Sequence, residues 1–275
     1  MKRSDFKPET STSKKSIQRI IQQTVEPAAT QEATQRVIKI LDSNYEKADL
    51  EEVVDNAHQL NDEEKGQLLA LLKDFEDIFD GTLGHWDTEP IDIELRPDAK
   101  PYNGRYYPVP KINKETFRKE LMRLVEIGVL TPVQQSEYGT PVFIIPKKEG
   151  TVQFITDYRK VNQMIVRKPY PIPHISDTMQ QLEGFQFATA LDLNMGYYTI
   201  DLAESSKDIT TIVTEFGKFR YNKLPMGMCI SGDIFQAKVN ELLGDIDGVK
   251  AYIDDILVLN KGTFSDHIEQ LRVCF

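Results

Sequence analysis

Asp254 and Asp255 stand side by side between two apolar runs, Val249 to Ile253 and Ile256 to Leu259, and Asp192 lies near the end of a third, Phe187 to Leu193. Carboxylates buried among apolar residues are costly unless a cation offsets their charge. At a hairpin tip the same pair is cheap, so a plain two-residue turn is one reading of Asp254-Asp255. A helix N-cap ahead of Asn194 to Tyr198 is one reading of Asp192. A shared sheet would bring all three acids together. Such a cluster suits two Mg2+ ions about 3.5 to 4 Å apart, one lowering the pKa of an attacking hydroxyl and the other neutralising a leaving pyrophosphate. That is phosphoryl-transfer chemistry.

The elements that must position these acids are mixed. Residues 1–35 are rich in Ser, Thr, Gln, Lys and Glu and read as a disordered arm. Residues 36–85 read as an acidic helical region, with Asn61 and Glu64 as a capping-box variant and Leu68, Leu69, Leu72, Phe75, Ile78 and Phe79 at helical spacing. Between Trp86 and Pro110, five prolines exclude helix, and Ile91, Ile93 and Leu95 alternate as a short strand. Phe117, Leu121, Leu124 and Val125 mark an amphipathic helix that Gly128 ends. Pro141 to Ile145 and Thr151 to Tyr158 form a hairpin with a cationic tip at Lys147 and Lys148. A short helix is expected near Ser176 to Glu183, strands at Thr210 to Glu215 and Lys218 to Tyr221, and a helix from Ser231 to Leu243 presenting Phe235, Val239 and Leu242. Segregated hairpins and helices give an α+β class.

The 275 residues are 40% hydrophobic and 28% charged, a globular composition with a net charge of −10. That average conceals a pattern: residues 1–95 carry a net −10, 96–174 a net +7 and 175–275 a net −7. A basic middle between acidic flanks fits one part holding a polyanion and another holding divalent cations; a solvated basic face fits as well. Neither a membrane-spanning apolar run nor a secretory signal is present, so an intracellular protein without membrane partners is expected. Cys229 and Cys274 make no metal spacing and read as reduced thiols.

Tyr252-Ile253-Asp254-Asp255 resembles the Y-x-D-D box of reverse transcriptases, and the Leu191 to Tyr198 stretch resembles the strand that supplies their first metal ligand. Asp157-Tyr158-Arg159-Lys160-Val161-Asn162, Tyr170-Pro171-Ile172-Pro173, Leu224-Pro225-Met226-Gly227 and His267 add further boxes in the same order. Together they cover about Trp86 to Phe275 and look most like the gypsy class of long-terminal-repeat retrotransposons. The resemblance implies a right-hand polymerase palm with an antiparallel sheet and helices plus a fingers subdomain, fingers over about 86–170 and palm over about 171–275.

It also implies roles. Asp192 and Asp254 would ligate two Mg2+ (or Mn2+) ions with the Leu193 carbonyl, Asp255 being the less direct third carboxylate. Tyr197 would be the steric gate that favours deoxynucleotides, its own residue-level reading being a core tyrosine. Lys147 and Lys148 would hold the incoming dNTP and nearby template, Met226 and Gly227 would lie beneath the nascent base pair, and Asp157, Arg159 and Tyr252 would meet the RNA or DNA template-primer. Gln153 departs from an arginine that clamps the triphosphate in the family, which should weaken that contact by about 1.5–3 kcal/mol. The chain ends at Phe275, inside the helix after the Y-x-D-D hairpin. Thumb and ribonuclease H are therefore expected to be absent, with other parts of a longer polyprotein or a homodimer as candidate partners. The implied activity is RNA-directed DNA polymerisation. Two alternatives stay open: an inactive copy that only binds nucleic acid through Lys147, Lys148, Arg159 and Lys168, and a palm-type nucleotidyl cyclase.

Overall fold

The computed structural model describes residues 19–21, 47–146, 152–172 and 184–275. The predicted hairpin tip at Lys147 and Lys148 and the predicted helix near Ser176 to Glu183 lie outside the described residues. The chain divides into two compact units that interleave along it: Met1–Thr82, Ile175–Asn194 and Ile246–Phe275 form one, and Leu83–His174 with Met195–Asp245 form the other.

The first unit holds a four-stranded antiparallel sheet in the order β1-β5-β9-β8, built from β1 (Arg19–Ile21), β5 (Phe187–Asp192), β8 (Val249–Tyr252) and β9 (Asp255–Asn260). Arg19–Ile21 falls in the stretch read as a disordered arm, yet pairs with β5 from Arg19 opposite Ala190 to Ile21 opposite Ala188. Helix α7 (Phe264–Cys274) opens on a capping box in which Thr263 accepts from the Asp266 N–H and Asp266 accepts from Thr263 in return. It buries His267, Ile268 and Leu271, and the Phe264 ring meets Phe187 edge-on at 5.3 Å.

Two helices of the acidic region belong to this unit. They are α1 (Leu50–Asp55) and α2 (Asp62–Asp74), and the Asn61–Glu64 capping box predicted for α2 is present in both directions. Leu68, Leu71 and Leu72 are buried, and α2 lies against α7, with Arg272 reaching Asp74 at 2.9 Å. The rings of Phe75 and Phe79 meet Phe275 edge-on at 5.5 and 5.6 Å. Burying these apolar side chains stabilises the helices at roughly 25 cal/mol per Å2 removed from water.

The second unit carries a five-stranded sheet in the order β2-β7-β6-β3-β4: β2 (Leu130–Val133), β3 (Thr140–Pro146), β4 (Val152–Thr156), β6 (Ile212–Thr214) and β7 (Gly217–Tyr221). Only β3 and β6 run parallel; the other neighbours are antiparallel. Helix α3 (Lys114–Glu126) packs Phe117 against Phe154 at 5.5 Å and Phe216 at 5.8 Å, and Gly128 follows it at φ +76°, as a helix-ending glycine requires. Short helices α4 (Arg159–Asn162) and α5 (Glu204–Lys207) and the longer α6 (Ser231–Leu243) complete the unit.

Two expectations fail here. Ile91 and Leu95 make only single bridges, to Leu202 and Ile165, rather than a strand, because Pro90 and Pro97 bracket the segment and cannot donate to a ladder. Leu242 is 60% exposed, so α6 is anchored by Phe235 and Val239 alone of the predicted trio.

Candidate active site

The register of β5, β9 and β8 brings the three acids to one end of the first unit's sheet. Asp192 is the last residue of β5 and stands opposite Asp255, the first of β9. Directly opposed Cα atoms of an antiparallel pair lie about 4.5 to 5.5 Å apart with side chains on the same face. Asp255 also pairs with Tyr252, so Ile253 and Asp254 form the two-residue turn between β8 and β9. The turn thus falls one residue earlier than the expected Asp254-Asp255 turn, and Asp255 is the first residue of β9. Leu193 donates its N–H to the Asp254 carbonyl at 2.9 Å, tying the end of β5 to that turn. The N-cap reading of Asp192 fails: the 3-10 turn Gly196–Thr199 has Met195 at its N-cap and no side-chain cap.

Ile253 adopts φ +54°, a left-handed conformation that a β-branched residue takes only at a cost. Strain of this kind, on the order of 1–3 kcal/mol, is characteristic of functional turns held by their surroundings. Here the two flanking strands hold it.

The electrostatics match the register. Burial first, then the charges of Asp254 and Asp255, push the Asp192 carboxyl up to about 7. Burial raises Asp254 as well. Asp255 is pushed to about 6 by desolvation and by Asp254, although its side chain is exposed and solvent screens it. No cation is among the causes of any of the three shifts.

Among the described residues, no group of three or more His, Cys, Asp or Glu closes around a metal position. The acids are neighbours without a finished coordination shell. Their chemistry nevertheless fits a divalent cation: they are hard oxygen donors, mutually repelling, and the buried Oδ1 of Asn194, two residues after Asp192, has no hydrogen-bond partner among the described residues. Sequence reasoning missed Asn194, since an orphaned acceptor is visible only once its neighbours are placed.

The other candidate residues lie in the second unit. Arg159 grips Asp157 with two bonds of 2.7 Å, the Tyr107 hydroxyl donates to Asp157 at 3.0 Å, and Asp157 is held near 2, chiefly by Arg159. Asn162 donates to the Gly227 carbonyl at 3.0 Å and accepts from the Cys229 N–H at 2.9 Å, fastening α4 to the Leu224 to Met228 turn. Gly227 there sits at φ +90°, and Met226 is 50% exposed. Gln153 lies opposite Ile145 across β3 and β4.

Tyr197 stacks on Phe235 at 4.9 Å, and Phe235 also takes Trp86 edge-on at 6.0 Å. Gly196 makes this possible: a Cβ there would stand 2.6 Å from the Phe235 ring. No local pattern signals that approach, because Phe235 is remote from Gly196 in the chain. Also unforeseen is Asp233, almost fully buried, which accepts two bonds from Arg167 at 2.7 and 3.1 Å and one from the Tyr170 N–H at 3.3 Å.

Residues 145–275 match the family described as reverse transcriptase (RNA-dependent DNA polymerase). The chain is 29% identical over 215 residues to the retrovirus-related Pol polyprotein from transposon opus of Drosophila melanogaster, covering 75% of this chain and 21% of the polyprotein. It is 30% identical over 183 residues to the Pol polyprotein from transposon gypsy of the same fly, covering 63% and 17%. The chain therefore spans about a fifth of the length of these relatives. A structure of the foamy viral protease-reverse transcriptase in complex with double-stranded DNA superposes with a TM-score of 0.75 at 27% identity, over 82% of this chain and 40% of that one. The gypsy-class resemblance and the mixed α+β fold both stand.

Proposed function

We propose that this chain is the catalytic part of an RNA-directed DNA polymerase that extends a primer on an RNA or DNA template. The 3′-hydroxyl of the primer attacks the α-phosphorus of a dNTP, a new phosphodiester bond forms, and the bond to the leaving pyrophosphate breaks. Asp192 and Asp254 would hold two Mg2+ ions with the Leu193 carbonyl, and Asp255 would support them. When bound, the ions lower the pKa of the attacking hydroxyl and neutralise charge on the leaving group. The observation that carries this reading is the opposition of Asp192 to Asp255 beside the Asp254 turn, three carboxyls with raised pKa values and no cation among them.

The chain's own residues supply the remaining roles. Tyr197, backed by Phe235, would exclude a ribose 2′-hydroxyl. Lys147 and Lys148 would meet the triphosphate, with Gln153 a weaker contact than a cation. Arg159, oriented by Asp157, would meet the template, while Met226, Gly227 and Tyr252 would meet the base pair and primer end. Among the described residues no helix is long and apolar enough to cross a membrane. The foamy viral relative, solved on double-stranded DNA, supports a nucleic-acid duplex as the working partner.

A second reading, nucleic-acid binding without turnover, is favoured by the uncharged Gln153. Primer extension with Mg2+, comparing the chain with Asp254→Asn, separates the two. Extension that falls by orders of magnitude in the variant supports the polymerase; equal rates, or binding without extension, support the second reading.

A further inference from the structure

Trp86 is the chain's one tryptophan and precedes every sequence box. It is half-buried rather than part of the closed core. Its backbone is tied to the turn that carries Tyr197. The Trp86 N–H donates to the Thr199 carbonyl at 2.9 Å, and the Thr199 hydroxyl donates to the Gly196 carbonyl at 2.6 Å. Further along, the Ile91 N–H donates to the Asp201 carbonyl at 2.8 Å, and the Ala203 N–H donates to the Ile91 carbonyl at 2.8 Å. Residues 86–91 therefore run as a strap beside residues 199–203.

The side chains repeat that connection. Tyr197 stacks along Phe235, with 29° between the planes, and its hydroxyl passes the first turn of α6, where a Cβ on Gly232 would stand 3.9 Å from it. The Trp86 indole meets the same Phe235 ring nearly at right angles, at 84° and 6.0 Å. Phe235 is fully buried, so in a close-packed interior its ring shifts only if a neighbour gives way. Asp233, gripped by Arg167, fixes the first turn of α6 just before Phe235. With the helix held, the setting of the Phe235 ring depends on the rings against it.

A gate that excludes a 2′-hydroxyl works by where its ring stands, and a displacement of about 1 Å changes what it admits. We propose that Trp86 is a positioning residue for sugar selection: through Phe235 it sets the stacked Tyr197 ring, and through Thr199 it holds the turn on which Tyr197 sits. The proposal rests on the reading of Tyr197 as the gate. It gives a residue ahead of all the boxes a share in choosing between deoxyribose and ribose.

The test is single-nucleotide primer extension by the full chain with Mg2+, measuring kcat and KM for a dNTP and for the matching rNTP. Trp86→Ala, Trp86→Phe and Tyr197→Ala are compared with the parent. Both Trp86 variants keep the N–H that bonds Thr199, so only the ring changes. Trp86→Ala should lower the ratio of kcat/KM for the dNTP to that for the rNTP by roughly two- to tenfold, the range one edge-on ring contact accounts for. The change should appear chiefly as a lower KM for the rNTP, and Trp86→Phe should restore most of the ratio. A merely structural role would slow both nucleotides alike. An unmoved ratio in Trp86→Ala beside a lowered one in Tyr197→Ala would overturn the proposal and leave the gate standing. An unmoved ratio in Tyr197→Ala would sink the gate reading, and the proposal with it. In a chain that extends no primer, urea unfolding reads the same relay: Trp86→Ala and Tyr197→Ala should be non-additive in the parent and additive once Phe235→Leu is present. Additivity in the parent would overturn the proposal.

Discussion

Asp192 and Asp255 face each other across the last rung of the β5–β9 ladder, with the strained Ile253–Asp254 turn closing the strand end beside them. Three carboxyls in that arrangement repel one another, and the repulsion sets the first prediction.

The folded-state pKa of Asp192 is raised to about 7 from an ordinary 3.8. Its contribution to stability is therefore fully present below about pH 4 and is lost as pH rises through 7. A bound divalent cation removes that penalty. Mg2+ should raise the melting temperature more at pH 8 than at pH 5, and Asp192→Asn should melt higher than the parent at pH 8 without metal, by roughly 2–4 °C per kcal/mol recovered. Thermal melts at both pH values, with and without Mg2+, check this. A Mg2+ effect of equal size at both, retained in Asp192→Asn, would contradict it.

Gly196 is needed for close approach to Phe235 rather than for backbone freedom. Gly196→Ala should cost about 1–3 kcal/mol through overpacking. Because Phe235 backs Tyr197, the same change should loosen sugar selection. Denaturant melts read the first effect, and the ratio of dNTP to rNTP incorporation reads the second. A destabilised variant with unchanged sugar selection would remove Tyr197 from the gating role.

His267 is fully buried, its Nε2 bonded to Thr189 Oγ1 at 2.8 Å, and burial lowers its pKa to about 4. The unfolded state binds the proton first, so stability should fall as pH drops from 6.5 towards 4, by about 2 kcal/mol at pH 5. His267→Gln should flatten the pH dependence of urea unfolding across that window, whatever its effect at pH 7. An unchanged slope would show that His267 titrates as freely in the fold as in the open chain.

Much of the fold was legible because it rests on local pattern. The apolar runs that flank Asp254-Asp255, the Asn61–Glu64 box and the Lys114–Glu126 helix all declare themselves within a dozen residues. Strand β2 did not, since Pro132 argues against a strand; β2 is an edge strand, where a missing N–H is tolerated. The three acids could be proposed as a cluster, but their register could not be read, because it is set by the pairing of β5 with β9 across a long separation in the chain. The Gly196–Phe235 approach, the Arg167–Asp233 pair and the orphaned Asn194 oxygen are tertiary facts with no local signature.

The most direct test of the central claim is electron paramagnetic resonance titration of the full chain with Mn2+, a spectroscopic stand-in for Mg2+, in the presence of primer–template and a dNTP. Saturable binding that weakens at least tenfold in both Asp192→Asn and Asp254→Asn is the predicted result. Equal Mn2+ binding by the parent and both variants would mean that these carboxylates do not hold the catalytic ions.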